Sequence, residues 1–220
     1  MVNLDIAFIS DVACPWCAVG LASLLQALDS CKQEISANLH FEPFELNPDM
    51  SPTGEDAVEH LARKYGATPE RSAEIRDLLA QRGAAVGIQF APQGRTRVVN
   101  TLDAHRLIFW AGEQSAGQQL ALKQALLRAY HERNERVDHA GVLLGAVREA
   151  GLDAEQAGRI LAGDAYAADV RAAEQRWHAV GIHSVPTIII NGKYAINGGQ
   201  LPVVFEQALR KVARSLSTTH

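Results

Sequence analysis

Little in this sequence points to a disulfide-built scaffold, a nucleic-acid binder or a membrane protein. Only three of its 220 residues are cysteine, too few for a disulfide framework, so the fold must rest on an apolar core. Lysine and arginine (21) are outnumbered by aspartate and glutamate (25), and a formal net charge of −4 argues against nucleic acid as a main partner. No apolar run approaches the roughly 20 residues of a membrane span. The opening MVNLDIAFIS lacks a basic n-region and carries Asp5, unlike a secretory signal. A cytoplasmic chain with no membrane partner is therefore expected. There is no low-complexity linker and no clear internal repeat. An apolar fraction of 47% is ordinary for a globular protein, and the length suits one large domain or a domain with an insertion.

What the chain does have is Cys14-Pro15-Trp16-Cys17. Ile6, Phe8 and Ile9 before it read as a buried strand, and Val19, Leu21, Leu24, Leu25 and Leu28 after it as a helix. Pro15 suits the first helical turn, where its missing N–H is no loss. Cys14 then stands at the helix start, beside unpaired N–H groups and the positive end of the dipole, which favours a thiolate. Cys17, three residues on, shares its face and can reach disulfide distance. Such a pair reads as a thiol–disulfide exchange site. Zinc usually needs four clustered ligands, and only Cys31 and the eight histidines remain to supply them, so no metal is expected. A purely structural disulfide is disfavoured because so short a loop constrains the unfolded chain least. Trp16 is either ordinary packing beside the cysteines or an apolar platform for a docking substrate. Cys31 is most simply a packed residue, with a resolving or regulatory role as the alternative.

Leu39 to Leu46 alternates as a second strand, with Pro43 marking an edge or the end of pairing. The period then changes to 3.6. Thr53 with Asp56 resembles a capping pair for a helix from about 55 to 65, stopped by Gly66. Thr68-Pro69 opens a helix to about Val86 with Ile75, Leu78 and Leu79 inward. A connection containing Gly94, Arg95 and Arg97 leads to Asn100 or Thr101, which can cap a helix to about Trp110. Gln118 to Glu132 is helical, and Asp138, Asp153 and Asp164 stand where caps are wanted, with Gly151 and Gly181 as stops. The run His131 to Arg136 has mixed signs and reads as solvated surface. His105 is either a satisfied core histidine or a hydrogen-bonding group facing the dithiol. Ser184 to Ile190 is strand-like, Asn191-Gly192 a hairpin turn and Lys193 to Ile196 the returning strand. A closing helix from about Pro202 to Leu216 places Val203, Val204, Leu209 and Val212 inward.

These elements resemble the thioredoxin fold with a helical insertion, as in DsbA-like oxidoreductases, and within them the FrnE-like branch. SDVACPWC (10–17), NTLDAHRL (100–107) and GIHSVPTIIINGKYAINGGQ (181–200) carry the resemblance over almost the whole chain. It implies an α/β fold with residues 1–52 and 182–220 as the thioredoxin-like domain and 53–181 as an all-helical insertion. It also implies a cis Pro186 packed on the dithiol, leaving Val185 to pair with a substrate strand. The expected site is thus Cys14, Cys17 and Pro186, with Pro15, Trp16, Val185, His105, Asn100, Gly199 and Gln200 toward substrate. Related 2-hydroxychromene-2-carboxylate isomerases and kappa-class glutathione transferases carry Ser where Cys14 stands, and Gln200 replaces an acidic residue of theirs. Gly198-Gly199-Gln200 would offer N–H donors to a carboxylate. The expected activity is disulfide exchange with a protein or small-thiol substrate, with no bound cofactor and glutathione as a redox partner. A glutathione-dependent isomerase or transferase of a small aromatic compound, and a non-catalytic chaperone or binding module, are the rival readings. The sequence leaves the chain a monomer or a homodimer.

Overall fold

The computed structural model describes residues 1–217; residues 218–220, the end of the expected C-terminal part, lie outside the described residues. Strand β1 (Val2–Ser10) is the centre of the molecule. Leu4, Ile6 and Phe8 face a core shared with Leu21, Leu24, Phe205 and Leu209. Ala7 and Ile9 face a second cluster with Phe44, Trp177 and Ile182. A strand covered on both faces needs an almost unbroken apolar run, which is what 4–9 provides. Four strands line up as β2-β1-β5-β6. β2 (Ile35–Pro43) runs parallel to β1 from Val2↔Ile35 to Ser10↔Pro43. β5 (Thr187–Ile190) pairs antiparallel with β1, and β6 (Tyr194–Asn197) with β5. Helices α1 (Pro15–Cys31) and α9 (Pro202–Ser217) pack together on the Phe8 face. With this mixed sheet and its helices the chain has a thioredoxin-like α/β fold.

Between β2 and β5 the chain forms α2 (Ala57–Tyr65), α3 (Pro69–Ala84), α4 (Leu102–Gln114), α5 (Ala116–Leu127), α6 (Ala140–Glu149), α7 (Ala154–Ala162) and α8 (Ala167–Ala179). A two-stranded bridge of β3 (Glu55–Asp56) and β4 (Arg97–Val98) ties the start of this block to its middle. The block covers the open edge of the sheet. The Gln119 side-chain oxygen accepts the Phe41 N–H at 3.0 Å, and its amide nitrogen donates back to the Phe41 carbonyl at 3.2 Å. An edge strand's unpaired backbone is thereby satisfied within the chain.

Several local expectations need correction. Asp56, not Thr53, caps α2, accepting from the Val58 and Glu59 N–H groups, because residues 55 and 56 are still extended in the bridge. Asp138 is drawn instead into an ion pair with Arg136, and Tyr166 rather than Asp164 precedes α8. The fifth strand begins at Thr187, later than the apolar run suggests. The second begins at Ile35, since its polar rungs Ser36 and Asn38 bond Asn3 and Asp5. The long helix expected to Glu132 ends at Leu127 and passes into a π-helical turn, Arg128–Glu132. Leu78, Val203 and Val204 are exposed, and Phe205 fills the core where the valines were expected.

Candidate active site

Pro15 occupies the first turn of α1 and Cys14 is its N-cap, in an extended conformation (φ −90°, ψ 112°). The Cys17 N–H donates to the Cys14 carbonyl at 3.0 Å, closing the loop. All three cysteines are free thiols; Cys17 and Cys31 are fully buried, and Cys14 is 5% exposed. The two sulfurs sit in opposite ionisation environments. A hydrogen bond from the Cys17 thiol holds Cys14 below the ordinary thiol range against its burial, helped by the Cys17 N–H and the charge of Arg95. Burial pushes Cys17 well above that range, and the bond that it donates to Cys14 holds its proton further. When protonated, the Cys14 thiol donates to the Val185 carbonyl at 3.6 Å. The Val185–Pro186 peptide is cis, as the resemblance implies.

Val185 is half-buried beside this sulfur, and Trp16, within the dithiol loop, is half-buried too. Pro186 packs against α1, where a Cβ on Gly20 would lie 3.1 Å from its ring. Gly199 has a similar constraint: a Cβ there would meet the Trp16 carbonyl at 2.8 Å, so the loop before α9 rests directly on the dithiol turn. The N–H donors expected of that loop are largely engaged inside the protein. The Gly198 N–H donates to the Pro186 carbonyl and the Gln200 N–H to the Gly198 carbonyl, because the loop folds on itself. Gln200's side chain likewise donates to Asn197.

The side-chain bond of His105 goes to Asp11 rather than to a cysteine. Its Nε2 lies 3.3 Å from Asp11 Oδ1, both side chains buried, and that same oxygen accepts the Ala13 N–H at 3.0 Å. Asp11 Oδ2 accepts the Leu46 N–H at 2.7 Å, so the carboxylate pins the segment entering α1. Burial acts to raise the Asp11 pKa, but these bonds and the His105 charge outweigh it and keep it low. Asn100 stays at its own helix, accepting the Leu102 N–H at 2.9 Å.

The helical block contributes four side chains that sequence reasoning passed over. Arg95 donates to the Ala13 carbonyl at 2.5 Å. Arg82 donates to the Gly199 carbonyl at 2.7 Å and lies over the Trp16 ring, 5.9 Å from its centroid. His131, expected at the surface, is buried with Nε2 at 2.8 Å from the Val12 carbonyl; burial and Arg95 push its pKa down to about 3. Lys123 of α5 is buried, its pKa lowered by burial. Nothing in a single sequence links these residues to the dithiol, since each is more than 60 positions from Cys14. Among the described residues no group of three or more His, Cys, Asp or Glu could hold a metal ion, and no helix is long and apolar enough to cross a membrane.

The family of DSBA-like thioredoxin domains matches residues 5–210. The chain belongs to the DsbA-like thioredoxin family. This DsbA-like chain is similar to a probable DsbA oxidoreductase from Streptomyces coelicolor, at 32% identity and a TM-score of 0.85, over 96% of this chain and 90% of that one. The cytosolic disulfide reductase DsbM of Pseudomonas aeruginosa, solved with GSH, shares its fold at 20% identity and a TM-score of 0.65, over 96% and 99% of the two chains. So does a 2-hydroxychromene-2-carboxylate isomerase, at 13% identity and 0.70, over 98% and 99%. The curated proteins give no match.

Proposed function

We propose that this DsbA-like chain is a cytoplasmic protein disulfide oxidoreductase and isomerase working through a mixed disulfide at Cys14. One observation carries the reading: Cys14 stands at the N-terminus of α1 with Cys17 one turn on, and its sulfur lies 3.6 Å from the carbonyl that opens the cis Val185–Pro186 peptide. The thiolate is the attacking species. Cys14 attacks a substrate disulfide and one substrate sulfur leaves; Cys17 then attacks the Cys14 sulfur, releasing the other and oxidising the enzyme. Run in reverse, the steps oxidise a dithiol, and attack, release and re-attack on one substrate isomerise it. Direction follows the potential of the pair against the surrounding thiol poise.

Cys14 has little exposed surface, so the reading requires a slender substrate: a disulfide on an extended segment or a small molecule, entering beside Val185. Val185 would pair with the extended backbone, as strand addition does. Glutathione enters as a diffusible redox partner, supported by the fold shared with DsbM, which was solved with GSH. A loop that uses the Gly198 and Gln200 N–H groups internally favours that role over a tightly held cofactor. Cys14→Ser is expected to abolish insulin-disulfide reduction, and Cys17→Ser to accumulate a substrate adduct visible on non-reducing gels. Wild-type turnover by Cys14→Ser would remove the assignment.

A further inference from the structure

A cleft of about 250 Å³ opens between α1, the loop after α3, and α5 with its π-helical turn. The dithiol pair, Trp16 and Val185 do not line it. Apolar side chains enclose it on three sides: Leu21 and Ala22 of α1, Val86 and Ile88 of the loop, and Leu127 of α5. Pockets for drug-sized molecules run from roughly 300 Å³ upward, so this cleft suits a compact molecule of about one ring.

Two acceptors without internal donors stand at this apolar space. His131 lines it and is only 4% exposed. The Val12 carbonyl can only accept, so the His131 Nε2, 2.8 Å away, carries the ring proton and donates it. Burial and Arg95 keep the ring neutral, which leaves Nδ1 with a bare lone pair. Among the described residues no donor reaches Nδ1, and it is not sealed from solvent; the cleft is the opening that His131 lines. Glu132, the next residue, lines the same cleft. Among the described residues its carboxylate makes no hydrogen bond and no ion pair. The neighbouring guanidiniums are engaged elsewhere. Arg128 donates through Nε and Nη2 to Glu149 at 3.1 and 2.7 Å, and Arg133 pairs with Glu135 and Glu149. Two cations thus serve three carboxylates, while α1 and the loop add only apolar residues to the lining.

We propose that this cleft binds a small aromatic amine, its ring against Leu21, Val86 and Ile88 and its ammonium shared between Glu132 and His131 Nδ1. An ammonium brings three donors and a positive charge, so one group can serve both acceptors. An alcohol of the same shape can donate but brings no charge. A carboxylate meets a like charge at Glu132 and a second lone pair at Nδ1, and is rejected. The apolar walls supply the attraction that all three share. The site lies apart from the dithiol, so it stands or falls independently of the exchange reading.

The probe is phenethylamine, titrated into isotope-labelled full-length protein and followed through its amide resonances, with phenethyl alcohol and hydrocinnamate as comparison ligands. Saturable shifts centred on Ala22, Gly87 and Ile88 are expected for the amine, weaker binding for the alcohol and none for the carboxylate. Glu132→Gln should weaken the amine about three- to fivefold, the upper range for a partly exposed ion pair, and leave the alcohol unchanged. Ala22→Phe fills the cleft and should abolish binding of both. Should that variant fail to fold, Glu132→Gln still decides, because it breaks no internal bond. Equal binding of amine and carboxylate, unchanged amine affinity in Glu132→Gln, or no saturable shift with the amine would each overturn the proposal. So would shifts centred on Cys14 and Trp16 instead of the cleft.

Discussion

The sheet with α1 and α9, and the block of α2 to α8, divide the work of the site unequally. The first region supplies both sulfurs, the proline and the Val185 carbonyl, all fixed by backbone geometry and close packing. The second supplies most of the charge around them: Arg82, Arg95 and Lys123, together with neutral His131. Asp11 is the charged group that the first region adds, and His105 of the block holds it. Shape and chemistry therefore have separate origins, and they should fail separately. The sheet region should fail by unfolding. Phe8 is completely buried between β1 and α1, its ring 5.8 Å from that of Phe41. Phe8→Ala should cost about 3–5 kcal/mol, the range for truncating a core aromatic. Urea denaturation checks this, and a loss under 1 kcal/mol would mean that β1 is not the centre of the core.

The seam between the two regions is polar, which gives it a pH dependence that the sheet lacks. Glu45 and Glu174 share one guanidinium, that of Arg171, and Glu174 also accepts the Glu45 N–H at 2.7 Å. One cation cannot neutralise two carboxylates. Burial, then the Glu174 charge, push Glu45 up to about 8. Because its folded pKa lies above the unfolded value of 4.5, the native state keeps a proton that the unfolded chain has released. Stability from this group is complete below about pH 4.5 and is lost as pH rises toward 8. The loss should amount to at most about 5 kcal/mol, given about 1.4 kcal/mol per pKa unit, and less to the extent that solvent screens this partly buried group. Melting temperatures of wild type and Glu45→Gln between pH 5 and 8.5 test it. The amide variant should lack the decline, and parallel curves would show that Glu45 does not titrate in that window.

The sheet region was also the more legible one. Pro15 at a helix start, the 3-residue cysteine spacing and the Asn191-Gly192 hairpin all act over a few positions, so sequence alone carries them. The block's cappings by Thr68 and Asp153 were legible for the same reason. What sequence hides is which face of a helix meets what. Leu78 and Leu79 are chemically identical neighbours, yet one is 46% exposed and the other buried. The mixed charges from His131 to Arg136 suggested solvent, while the π-helical turn rotates His131 inward onto the Val12 carbonyl. Arg95 carried no local signal, because its partner carbonyl lies 82 residues away.

Arg95 gives the finest cut between the two regions. If the helix start and the Cys17 hydrogen bond alone set the Cys14 ionisation, removing a cation contributed by the block should change nothing. Arg95 is a lesser influence on Cys14 than the bond from Cys17, and it acts through charge on a sulfur whose burial leaves little water to screen it. Arg95→Met should therefore raise the Cys14 midpoint and leave less thiolate below it. Arg95→Lys should recover part of the shift, since it restores the charge without the planar donor array that grips the Ala13 carbonyl. The pH dependence of iodoacetamide alkylation at Cys14 reads the midpoint directly. An unchanged midpoint in Arg95→Met would return control of the thiolate to α1 and the Cys17 bond, and would leave the block's cations with a purely packing role.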